Sequence, residues 1–183
     1  MDDRNDRTKN KGYRLRCEVV DYLVKELKFD GYNGTSTPFH MGLFDDDIYA
    51  MSVLDNNKFE ICVRKSETTK RSYDEQLLTV MNDEEVPDPN INVNEHIDKI
   101  DIFAILHELG HRHCSLIKEY KNDYVDDVFE LQREFTCGRI SKNEYFKEYR
   151  YIPQERDADL YACKMMKNKS FMKKLCEYIN NKK

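Results

Sequence analysis

Ile102-Phe103-Ala104-Ile105-Leu106-His107-Glu108-Leu109-Gly110-His111 sets the architecture expected of this 183-residue chain. From His96 onward the apolar positions Ile97, Ile100, Phe103, Ala104, Leu106 and Leu109 recur at helical spacing, so the run predicts a helix with one buried face. Residues four apart on a helix differ by about 40° in direction and one turn in height, so His107 and His111 present two imidazoles to the same point. Glu108 is offset by about 100°, which sets its carboxylate beside that point and not on it. Two imidazoles so spaced are a metal-ligand pair of the zinc kind. Zinc lowers the pKa of a bound water towards roughly 7, and a neighbouring carboxylate can take its proton and pass it to a leaving amine. The run therefore points to amide hydrolysis, with His107 and His111 as ligands and Glu108 as general base. The competing reading is chance, since the pattern fixes only three positions.

Neighbouring residues sharpen the set. His113 lies six positions beyond His107, about 240° around a continuing helix, and is expected to play a surface or capping part instead of sharing the metal. Cys114 is most simply a small packing residue. Gly110 costs a helix about 1 kcal/mol relative to Ala, but it lets another backbone or side chain come close.

A catalytic zinc uses three protein ligands and keeps a fourth position open. Downstream, Pro153-Gln154-Glu155-Arg156-Asp157-Ala158-Asp159 opens a second helix behind a proline. Glu155 is the expected third ligand. Asp159, one turn further on the same face, is expected to accept the second ring N–H of a zinc-bound histidine. Ala158 would keep the two helices close, and Asp157 on the opposite side is expected to face solvent. An acidic helix N-terminus, favoured by the helix dipole alone, is the competing explanation, with Glu144, Glu148, Asp126 and Asp127 as fallback ligands. A transition-state oxyanion needs a further donor, and Tyr145, Tyr149, Tyr151 and Tyr161 are the candidates.

His107-Glu108-Leu109-Gly110-His111 followed by Glu155-Arg156-Asp157-Ala158-Asp159 resembles the gluzincin pattern, in which HExxH is completed by a glutamate in an E-x-x-x-D helix. Among soluble gluzincins it looks most like the ImmA/IrrE family of metallopeptidases. The resemblance spans residues 91–165. It implies a zincin-like fold, in which a small sheet precedes the active-site helix, and a zinc peptidase that cleaves a regulatory protein, often a repressor, in stress response or mobile-element control. Glu155 stands 44 positions beyond His111, a gap longer than that family leads one to expect and one that holds an inserted helix or two.

The rest of the chain is expected to support that helix. Leu15, Val19, Val20, Leu23, Val24 and Leu27 mark an amphipathic helix ending near Phe29. Residues 31–38 are loop by composition. Residues 48–54 and 58–64 form a hairpin about a turn at Asp55-Asn56-Asn57, with Phe59, Ile61 and Val63 buried and Glu60, Cys62 and Arg64 on a wetter face. Residues 66–90 are polar and interrupted by Pro87 and Pro89. Ile91-Asn92-Val93-Asn94 is a possible short strand, and helices follow at about 116–135, 142–149, 154–167 and 169–180. The expected class is α+β, with residues 1–11 a disordered tail and 12–183 a single zincin-like domain.

Composition narrows the functional classes. Charged residues make up 36% and hydrophobic residues 39%, with a formal net charge of −5. Such a field repels phosphate backbones, so nucleic acid is not an expected partner and a protein or peptide substrate is. No apolar run approaches the roughly 18–20 residues of a spanning helix. The mixed-charge start Met1 to Asn10 has no apolar core of the secretory kind, and six scattered cysteines without a close pair suit a reducing compartment. A cytoplasmic location is expected. The alternative to an enzyme is a zincin-fold binding or regulatory protein that acts by contact alone.

Overall fold

In the computed structural model, which describes residues 10–36, 50–53, 58–64, 72–91, 96–121 and 123–182, the class is α+β. The elements run α1 (Lys11–Glu26), β1 (Tyr32–Ser36), β2 (Ala50–Val53), β3 (Phe59–Cys62), α2 (Ser72–Asp83), α3 (Lys99–Ile117), α4 (Tyr124–Thr136), α5 (Lys142–Tyr151), α6 (Pro153–Lys167) and α7 (Lys169–Asn180). The sheet order is β1-β3-β2, with β3 parallel to β1 and antiparallel to β2.

The hairpin partners β2 and β3 pair as expected; Ile48, Leu54 and the turn at 55–57 lie outside the described residues. β1 was not foreseen, because Gly31, Asn33, Gly34 and Ser36 read as loop. Pairing supplies what propensity does not: Phe59 N–H donates to Gly31 O at 2.9 Å and Val63 N–H to Ser36 O at 3.2 Å. Gly34, at φ +137°, takes up a register irregularity in the ladder. Phe59, Ile61 and Val63 are buried as read, but the opposite face is not wet at Cys62 and Arg64, which are buried too. α2 also escaped the sequence reading, although Leu77 and Met81, four apart, seal it onto the core.

Capping sets the helix starts. Asn10 Oδ1 accepts from Tyr13 N–H at 2.9 Å, so α1 begins at Lys11, inside the segment expected to be tail; residues 1–9 lie outside the described set. Of the strand considered at 91–94, only Ile91 is described. Asp98 caps α3 in a reciprocal box with Asp101. Asp101 also receives Arg16 Nε at 3.2 Å and Arg64 Nε at 2.8 Å, binding α1, β3 and the start of α3 into one buried ionic knot. Arg64 is buried because that carboxylate is its partner.

Around this knot Val19, Val20 and Leu23 of α1, Ile61 of β3, Ile102, Phe103, Ile105 and Leu106 of α3, Ala162 and Met166 of α6, and Leu175 and Ile179 of α7 form the core. Tyr22 and Tyr178 stack 4.1 Å apart between α1 and α7. Among the described residues no helix is long and apolar enough to cross a membrane.

Candidate metal centre

α3 and α6 meet where α3 has no side chain. A Cβ added at Gly110 would stand 2.9 Å from Ala158 O and 3.0 Å from Ala158 Cα, so Gly110 and Ala158 together set how near the helices lie. That approach carries Glu155 and Asp159, one turn apart on α6, up to the two histidines of α3.

The three expected ligands come together. His107 Nε2 lies 3.1 Å from His111 Nε2 and 3.2 Å from Glu155 Oε2, and His111 Nε2 lies 3.3 Å from Glu155 Oε1. Donors held about 2.0–2.2 Å from one tetrahedral ion are about 3.3–3.5 Å apart, so the triangle has nearly the size of a metal's ligand set. His107 Nδ1 is 2.7 Å from Asp159 Oδ1. A proton on that nitrogen, donated to Asp159, leaves the Nε2 lone pair facing the triangle. Glu155 Oε2 is buried and meets His107 Nε2 at 3.2 Å in poor hydrogen-bond geometry, an arrangement that a cation relieves. The group His107, His111 and Glu155 could therefore hold a metal ion.

Electrostatics point the same way. Burial works against a charged His107, but hydrogen bonds to Asp159 and Glu155, and their charges, outweigh it and push the imidazole up to about 10. Without a metal the site thus draws in a proton. Burial favours a neutral Glu155, yet hydrogen bonds from both histidines hold it well below the usual carboxylate range. Glu108 is buried beside the group; burial pushes its carboxyl up, while the histidines and Arg150 pull the other way.

The surrounding residues differ in part from expectation. His113 stays out of the group: α3 continues to Ile117 and the His113 ring packs 4.7 Å from that of Tyr161. Asp157 does not simply face solvent. It accepts from Lys118 Nζ at 2.6 Å and from Tyr120 hydroxyl at 2.8 Å, which ties the connection after α3 to α6. Glu144 caps α5, and Glu148, Asp126 and Asp127 are exposed, so none competes with Glu155.

Of the four tyrosines considered, Tyr151 is exposed, Tyr145 packs against Phe135 and Phe146, and Tyr161 lies on His113. Tyr149 does approach, through a residue that sequence reasoning missed. Tyr124, at the start of α4, donates its hydroxyl to Glu155 Oε1 at 2.6 Å and stands 3.2 Å from Tyr149 hydroxyl. Burial and the Glu155 charge raise its pKa, so it stays a donor. Arg150 was missed as well: its Nη1 donates to Asp159 Oδ1 at 2.8 Å. Neither position carries a local signature, since both act across segments that only the fold brings together. No family model, no curated protein and no solved structure matches this chain.

Proposed function

We propose that the protein is a zinc-dependent endopeptidase of the gluzincin type, zincin-like in fold and most similar to the ImmA/IrrE metallopeptidases. The observation that carries this reading is a buried, intact Glu108 on the same helix turn as a three-ligand triangle. A site that only binds metal has no use for that carboxylate. The donor set, two neutral imidazoles and one carboxylate, suits zinc and leaves room for a fourth ligand. Zinc held there supplies a Lewis acid that polarises a carbonyl and acidifies water.

The chain's own residues account for the rest of the reaction. Glu108 accepts the proton released by the attacking water and returns it to the departing amine. Asp159 holds His107 in the tautomer that keeps Nε2 available. The Tyr124 hydroxyl, committed to Glu155 Oε1 and backed by the Tyr149 hydroxyl, steadies the carboxylate ligand. Strand β2, an edge of the sheet among the described residues and antiparallel to β3, offers main-chain pairing to an extended substrate. A protein regulator is the proposed substrate and the cytoplasm the proposed site of action.

The test pairs elemental analysis of purified protein with cleavage of candidate protein substrates by wild type and Glu108→Gln. One zinc per chain, with activity falling by about 10²–10⁴-fold in the variant while zinc is retained, is expected. Equal activity in both, or none in either while zinc is bound, would sink the enzyme reading and leave a protein that acts by contact.

A further inference from the structure

We infer that Arg150 is the counter-charge of the metal centre, a positioning residue that makes the loaded site electrically neutral and sets how tightly it holds its cation. This rests on the reading of His107, His111 and Glu155 as ligands of a divalent ion. Three carboxylates are buried at the site, those of Glu108, Glu155 and Asp159. The two imidazoles, as ligands, bring no charge. A divalent cation offsets two of the three negative charges and leaves one.

Arg150 supplies the remaining positive charge. Its side chain is 10% exposed, with Nη1 2.8 Å from Asp159 Oδ1 and 3.9 Å from Glu155 Oε2. It therefore hydrogen-bonds one α6 carboxylate and lies within ion-pair range of the other. Arg150 occupies the last turn of α5, where the helix dipole favours a cation. A guanidinium stays protonated at any pH the protein meets, so this charge is permanent.

Two roles are open to a cation so placed, and they differ in sign. If Arg150 served chiefly to hold Asp159 in line with His107, its removal would loosen the metal, as loss of an outer hydrogen-bond partner does. As a counter-charge it does the reverse. Arg150 repels the incoming cation and drains charge from the carboxylates that attract it, so its removal tightens binding. The centre gives up affinity and keeps a more electron-poor metal, which serves a Lewis acid better than a storage site.

The experiment measures zinc affinity by competition with a chromophoric chelator for wild type, Arg150→Gln and Arg150→Lys, alongside denaturant unfolding of the chelated proteins. Arg150→Gln should bind zinc roughly tenfold more tightly, the scale set by a unit charge a few ångströms away in a partly screened interior. Its chelated form should unfold at lower denaturant, because three buried carboxylates lose a neutralising neighbour. Arg150→Lys keeps the charge without the fork, and its zinc affinity should stay within about threefold of wild type on the same scale. If chelated Arg150→Gln is already unfolded, zinc-dependent refolding reads out the same affinity. Unchanged or weaker zinc binding by Arg150→Gln overturns the counter-charge role, as does a Lys variant that behaves like the Gln variant. Failure of wild type to bind zinc removes the centre itself, and this role with it.

Discussion

The first turn and the middle of α3 bury charge in opposite ways. At its start, one carboxylate, Asp101, is taken up by protein: Arg16, Arg64 and the Asp98 main-chain N–H all donate to it. Two turns on, Glu108, Glu155 and Asp159 crowd around two histidines, and Glu155 Oε2 lacks a donor in good geometry. The first arrangement is closed and does structural work. The second gathers three carboxylates against one permanent cation, Arg150, and a fold that tolerates such an excess in its interior does so where something else is to bind. The same helix thus holds its layers together at its start and carries at its middle a group that could hold a metal ion.

This contrast can be broken most severely at the closed end. Asp101→Ala strands two buried guanidinium groups and should cost about 3–5 kcal/mol in denaturant unfolding, with zinc stoichiometry intact in whatever fraction remains folded. Loss of zinc without loss of stability would reverse the assignment of roles. Next in size, Gly110→Ala pushes a methyl against Ala158 main chain, for which about 1–3 kcal/mol of destabilisation is expected; because the ligands sit on both sides of that contact, zinc affinity should fall along with stability. Asp159→Asn should weaken zinc about 10–100-fold, read by the same chelator competition. An unaltered affinity there would mean that the His107 ring is held by packing alone. Smallest is Asp157→Ala, which removes a partly exposed pair with Lys118 and should cost about 0–1 kcal/mol while leaving zinc binding unchanged.

The residues legible in the sequence were those whose meaning is local. His107, Glu108 and His111 share one turn, and Glu155 and Asp159 share one turn of a later helix, so spacing alone proposes their convergence. The helices α5, α6 and α7 followed from the breaks that separate them, Cys137-Gly138, Ile152-Pro153 and the polar patch Lys167-Asn168-Lys169. α4 was blurred into the end of α3, because the connection at 118–123 carries no glycine or proline. β1 stayed hidden because its strand character comes from β3 and not from its own residues. Tyr124 and Arg150 could not be singled out among twelve tyrosines and thirty basic residues, since nothing near them in the chain indicates what they will face. Asp157 was misplaced for the same reason: its partners come from the far end of α3.

The contact between Gly110 and Ala158 has one more consequence. Two ligands belong to one helix and the third to the other, so the gap between the backbones is itself a dimension of the coordination sphere. A single hydrogen atom in place of a side chain acts here as a gauge block, and whatever pries the helices apart, be it a mutation, heat or a bound partner, would be felt by a metal ion held there.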